Sequence, residues 1–277
     1  MQNDELITLS HGALESSTVN AMFGMLPMGI ETPSGIVSSY TFRPPKMGVQ
    51  KRLGEIKARR DLIKRPGRLI AYFLGAALAS LNGEDMSILD EDEAALRVAR
   101  LPVGDVFYLL YAHYAMSNRR GFRLDGFACG SCGAGFDAIR VDVGGIEVTR
   151  IPPGQDRHPT ARIELFEGFP FRGETATSVT VRPPVWVDTF WSLSASQFNN
   201  AAIISASIIK GGIVEVNGQH QTVTAEELDE LWPEDASLIE DALGLITPST
   251  DQVVEIVCPT CGSKQHTDVP WQDLAFG

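Results

Sequence analysis

Two stretches decide the fold: Phe122-Arg123-Leu124-Asp125-Gly126-Phe127-Ala128-Cys129-Gly130-Ser131-Cys132-Gly133 and, later in the chain, Val253-Val254-Glu255-Ile256-Val257-Cys258-Pro259-Thr260-Cys261-Gly262. In each, an extended segment runs into a Cys-x-x-Cys pair followed at once by glycine. A strand, such a turn and a returning strand make a zinc knuckle. The glycine lets the chain turn so that backbone amides point at the sulfurs, and two knuckles supply four thiolates for a tetrahedral site. The chain has 4 cysteines, all in these pairs. The expected metal ligands are therefore Cys129, Cys132, Cys258 and Cys261, with zinc as a structural cofactor. Two local disulfides, a thioredoxin-like redox motif and an iron–sulfur cluster are the alternatives. The redox motif wants a helix after its first cysteine, where strands are expected here, and disulfides want a secreted protein.

The 277 residues, 44% hydrophobic and 21% charged, suit one large domain or two smaller ones. Met1 to Glu5 starts acidic, unlike a signal peptide. The longest apolar runs, near 69–81 and 201–209, are too short and interrupted for a bilayer. No membrane association is expected, and cysteines confined to metal-type pairs suggest a cytoplasmic place of synthesis. The net charge of −12 is uneven: residues 1–159 carry 18 basic and 18 acidic side chains, residues 160–277 carry 5 and 17. Ten of the 23 Lys and Arg lie between Arg43 and Arg68, against only Glu55 and Asp61. That run could meet phosphates or an acidic protein surface, or simply form a solvated helix face.

Taken in order, residues 1–25 read as an N-terminal arm that orders against a partner. Leu26-Pro27-Met28-Gly29 leads through Thr32–Gly35 to a strand at Val37–Phe42, closed by Arg43-Pro44-Pro45. Leu53, Ile56, Leu62 and Ile63 keep helical spacing, and a buried helix is expected over 67–81, stopping at Asn82-Gly83. An acidic loop, Asp90–Glu93, precedes Leu96; Val103–Met116 reads as a helix. After the first knuckle, Ile139–Val148 reads as a hairpin turning at Gly144-Gly145. The later part repeats this order. Phe169-Pro170 takes the place of Leu26-Pro27, and Thr180-Val181-Arg182-Pro183-Pro184 repeats Thr41-Phe42-Arg43-Pro44-Pro45. An apolar run at 201–209 precedes Asn217-Gly218, Thr224 to Glu227 is a capping box, and Asp235 opens a helix as Asp105 does. The reading is an internal duplication, 26–150 and 151–277, in an α+β fold whose halves share one four-cysteine zinc ribbon. Closing the 125-residue loop between the pairs costs about 4 kcal/mol, less than the roughly 10–16 kcal/mol of structural zinc.

Enzymatic signatures are few. There is no phosphate-binding loop of the Gly-x-x-x-x-Gly-Lys kind and no His-Glu-x-x-His. Gly133 to Ala138 fits a dinucleotide fingerprint formally but enters a strand rather than a helix. His266 competes weakly as a ligand, His113 reads as a packed helix residue, and four cysteines leave no open catalytic position. No enzyme activity is expected.

The Leu-Pro-x-Gly opening (Leu26–Gly29), the Arg-Pro-Pro strand ends, the helix carrying Asp105, Leu109 and Leu110, and one Cys-x-x-Cys per half are similar to a known group. With Cys258–Gly262 followed by Asp268, Trp271 and Phe276, they resemble baseplate and tail-assembly proteins of contractile-tailed phages and related injection systems. The resemblance covers most of 26–277. It implies a structural or assembly role in a tail baseplate, other tail or baseplate proteins as partners, and a place in the host cytoplasm during assembly or in the virion. Self-association is a further expectation from the charge map. The N-terminal Met22, Phe23, Met25 and Leu26 and the C-terminal Trp271–Phe276 are the apolar partner-facing candidates. The alternative is a zinc-ribbon nucleic-acid-binding or transcription-associated protein using 43–68, against which overall acidity argues.

Overall fold

The computed structural model describes residues 7–9, 15–18, 24–32, 35–116, 122–141, 147–151, 158–250 and 253–268. Over these the chain is a mixed α+β fold with antiparallel sheets. It opens with β1 (Ile7–Leu9), β2 (Glu15–Thr18), β3 (Gly24–Thr32) and β4 (Gly35–Phe42), then α1 (Met47–Lys57), α2 (Arg60–Ile63) and α3 (Pro66–Ala77). Next come β5 (Leu78–Leu81), β6 (Glu84–Asp85), α4 (Glu91–Ala99), α5 (Val103–Met116), the hairpin β7 (Phe122–Ala128) and β8 (Gly135–Val141), and β9 (Glu147–Arg150). The later part has β10 (Ala161–Phe171), β11 (Glu174–Val181), α6 (Trp186–Thr189), α7 (Ala195–Phe198), α8 (Ala201–Gly212), β12 (Ile213–Val216) and β13 (Gln219–His220). It closes with α9 (Ala225–Leu228), α10 (Pro233–Ile246) and the hairpin β14 (Val253–Val257) and β15 (Lys264–Asp268).

One sheet has the order β3-β4-β5-β6, another β1-β10-β11-β12-β13. Both use the same local chemistry. Asn82-Gly83 and Asn217-Gly218 take left-handed dihedrals at both turn positions, as a two-residue hairpin whose twist matches its strands requires. The Arg43 and Arg182 amides donate to the Ala77 and Gly212 carbonyls, both 2.8–2.9 Å, at each helix-to-strand junction. Opposite β4 and β11, the ladders break at Met25/Ile30 and Glu164/Phe169. Amides released by those bulges are collected by one buried carboxylate per sheet. Asp105 accepts from Met28 N (2.9 Å) and Gly29 N (3.0 Å); Asp235 accepts from Phe166 N (2.6 Å), Glu167 N (3.2 Å) and Gly168 N (2.9 Å). Gly29 and Gly168 are both left-handed, and a Cβ on Gly168 would sit 2.1 Å from the Ala176 carbonyl.

Several expectations shift. Gly168, rather than Phe169-Pro170, resembles Gly29 of the Leu-Pro-x-Gly segment in its left-handed φ and its amide bond to a buried aspartate. The helix expected over 67–81 ends at Ala77, because Leu78–Leu81 pairs with β4 as a strand. The acidic loop is the start of α4: Asp90 caps Glu93 N at 2.8 Å while the Glu93 carboxylate reaches back to Asp90 N. Ile139 pairs with Leu124 rather than with a strand after Gly144-Gly145, and β9 pairs with β2. The Gly144-Gly145 turn, Met22, Phe23, Trp271 and Phe276 lie outside the described residues. Within the expected arm, β1 pairs with β10 and β2 with β9. Leu26 is buried in the core, while Met25 is 58% exposed.

Among the described residues, apolar side chains form two cores. The smaller lies between β10–β12, α8 and α10. The larger is built on α3, α5 and the β3–β6 sheet, yet Trp186, Phe190, Leu193 and Phe198 of the later part insert into it. Trp186 is fully buried; its indole N–H donates to the Gly67 carbonyl at 2.9 Å, and its ring meets Phe107 and Phe190 edge-on. Around that seam Val103 N donates to Pro184 O, Trp186 N to Leu101 O, and Ala195 N to Lys64 O.

Candidate metal centre

The β7–β8 and β14–β15 hairpins carry the cysteine pairs at their tips. Within each tip the chain folds back in the same way. Gly133 N donates to Cys129 O and Cys129 N to Ala134 O; Gly262 N donates to Cys258 O and Cys258 N to Ser263 O, all at 2.8–2.9 Å. Both following glycines sit at φ 72°, where a side chain is strained. The local sequence thus shapes each half-site before the two meet.

They do meet. The Sγ atoms of Cys129, Cys132, Cys258 and Cys261 lie within 4.8 Å of one another. Cys129 is 3.7 Å from Cys261, and Cys132 is 3.9 Å from Cys258. A regular tetrahedron of sulfurs about 2.3 Å from a zinc ion has edges of about 3.8 Å, so the donor set fits the ion in number, kind and spacing. These separations are far beyond a sulfur–sulfur bond of about 2.05 Å, and the four thiols are free. Each close sulfur pair joins one cysteine of the first hairpin to one of the second.

Electrostatics call for a cation. The Cys129 thiol is pulled down to about 6, chiefly because the Cys132 amide points at its sulfur; loss of water opposes this, and the Ser131 amide and neighbouring thiols assist. At Cys261 the Ser263 amide favours the thiolate, but the adjoining sulfurs, Cys132 first, and loss of water push the thiol up to about 12. Four sulfurs this close cannot all ionise without a positive ion between them, and a divalent metal removes the conflict. Cys129 and Cys258 are buried, whereas Cys132 and Cys261 face outward.

Around the sulfurs the hairpins touch through side chains that local spacing could not announce. Gln265 Nε2 donates to Cys129 Sγ at 3.1 Å, and the Ser131 and Ser263 hydroxyls meet at 2.7 Å. His266 pairs in register with Glu255 and stays outside the sulfur cluster. His113 is buried edge-on between Phe42 and Phe73, as a packing residue.

The basic run divides its labour. Arg65 and Arg68 donate to the Ser192 and Trp191 carbonyls, and the Arg68 guanidinium lies 5.1 Å over the Trp191 ring. Arg59 pairs with Asp61 and Glu91, and Arg43 donates to Leu78 O. Lys46, Lys51, Arg52, Arg60 and Lys64 are exposed. A cavity of about 750 Å³ on the later part is lined by Arg172, Arg182, Lys210 and His220; Asp188 pairs with Arg182 and Glu215 with His220. Among the described residues no helix is long and apolar enough to cross a membrane. Compared with protein-family models, curated proteins and solved structures, the chain matches none.

Proposed function

We propose that this protein is a non-enzymatic scaffold, a structural or assembly component of a contractile-tail baseplate, built by internal duplication around one structural zinc. One observation carries the scaffold reading: two hairpin tips from distant parts of the chain complete a closed four-sulfur site. With every position taken by thiolate, zinc there supplies cross-linking rather than Lewis-acid chemistry. The paired carboxylates Asp105 and Asp235, each holding the amides of a bulge, support the duplication. The tail assignment rests on the motif resemblance. Affinity capture from cells producing tailed particles tests it: co-purified tail or baseplate proteins support it, and their absence from metal-loaded, folded bait overturns it. Arg43 and Arg68 donate to backbone carbonyls and Arg59 pairs with Asp61 and Glu91, so part of the basic run is engaged within the fold, while overall acidity disfavours the nucleic-acid alternative. That alternative predicts generic DNA binding at low salt with steep salt dependence.

A further inference from the structure

The seam between the two parts uses a surface of each, and the correspondence between them shows that the other copy of each surface is left uncovered. On the first part, the seam takes the start of α5, where Pro102 bridges to Val185 and Phe107 packs on Trp186. The equivalent surface of the later part is the start of α10, aligned through Asp105 and Asp235. Trp232 stands there in place of Pro102 and is 55% exposed. On the later part, the seam takes Pro183-Pro184 and the α6 face carrying Trp186 and Phe190, all buried. Its equivalent is Pro44-Pro45 and the α1 face carrying Met47 and Lys51, aligned through the repeated Arg-Pro-Pro. Both prolines are exposed, and Met47, in the place of the fully buried Trp186, is 83% exposed.

A helix that packs on α10 tells the same story. In α3, nine of twelve residues are buried. Its counterpart α8, Ala-Ala-Ile-Ile-Ser-Ala-Ser-Ile-Ile-Lys-Gly-Gly, is at least as apolar, yet only Ile209 and Gly212 are buried, with Ile203, Ile204 and Ile208 half-buried against the cores. Half-covered isoleucines on a helix this apolar leave surface that a further partner can bury.

We propose that a second copy of this chain supplies the cover: the Trp232 surface of one copy docks on the Met47 surface of the next, repeating between chains the contact made once within each. Charge fits this occupant. Next to Trp232 in the chain are the exposed acids Asp229, Glu230 and Glu234; next to Met47 are the exposed bases Lys46, Lys51 and Arg52, with Glu55 paired to Lys51. Trp232 meets Lys46 where Pro102 meets Val185, setting an aromatic face against a cation. Met47 N can donate to Leu231 O as Trp186 N does to Leu101 O. Pro233 replaces Val103 and has no N–H, so the second backbone bond of the seam is lost. The contact between chains is therefore more polar than the seam, reversible and salt-sensitive. It joins unlike surfaces, so it extends to a ring or a filament.

This inference rests on the likeness of the two parts and not on the tail-assembly reading, so either can fail alone. The test is light scattering and sedimentation of the full, metal-loaded chain over a range of concentrations at low and high salt. Concentration-dependent association that weakens with salt is expected. Met47→Glu and Trp232→Glu should each weaken it at least about tenfold, the scale of losing a central interface residue. Trp232→Ser should act alike without adding charge. Each variant keeps one intact surface, so an equimolar mixture of Met47→Glu and Trp232→Glu chains should form dimers and stop there. Metal content and circular dichroism report folding. A wild-type chain that stays monomeric at low salt, variants that associate like wild type, or a mixture that remains monomeric would each overturn the proposal.

Discussion

Asp105 and Asp235 are each 0% exposed, and each holds backbone amides that a bulge has taken out of its ladder. A carboxylate accepting such bonds contributes about 1.5–3 kcal/mol for each, and removing it strands the amides. Asp105→Ala and Asp235→Ala should therefore each lower unfolding free energy by about 3 kcal/mol or more, measured by urea titration. A loss below about 1 kcal/mol in either would contradict that role. Gly168→Ala should be comparably harmful, because it combines a left-handed residue with a 2.1 Å approach to a carbonyl. At the metal, Cys129→Ser and Cys258→Ser each leave three thiolates. Both should fall well below one zinc per chain by elemental analysis, where the wild type should hold one; a silent member of the pair would refute a shared site.

At the scale of elements, what could be read depended on how local the cause was. The knuckles were legible because Cys-x-x-Cys-Gly contains its own turn, and α5 because Val103–Met116 is apolar with Pro102 before it. The capping box of α4 was present as Asp90-x-x-Glu93 ahead of an apolar run, a signal outweighed by the density of charge. Strand β5 was hidden for a different reason. Leu78–Leu81 continues an apolar run with no breaker, and only pairing of Leu78 with Phe42 turns helix into strand. Element α6 leaves no sequence signal: four residues cannot show a period, and the burial of Trp186 comes from another part of the chain. Trp186→Ala should cost about 3–5 kcal/mol, the range for deleting a fully packed aromatic. A cost near that of an exposed substitution, read by thermal or urea unfolding, would remove it from the seam.

For the whole molecule, a metal at the four sulfurs would do the same task as the seam by different means. Trp186, Phe190, Leu193 and Phe198, buried at roughly 1.5–3 kcal/mol each, contribute on the order of 10 kcal/mol, similar to structural zinc after loop closure. A strong chelator should accordingly unravel the two hairpins and lower the melting temperature while both cores persist. Near-native far-ultraviolet dichroism with raised proteolysis around 122–141 and 253–268 would be the signature; complete unfolding would show the metal to be the sole clasp. The placement of the ligands also has a consequence in time. Two of the sulfurs are made early and two late, with 125 residues between them. At about 5–20 residues per second, the first pair waits on the order of ten seconds on the ribosome before its partners exist. Throughout that interval it is an incomplete dithiol, open to oxidation or to a stray metal. Redox state and zinc supply during translation should therefore influence the yield of correctly loaded protein.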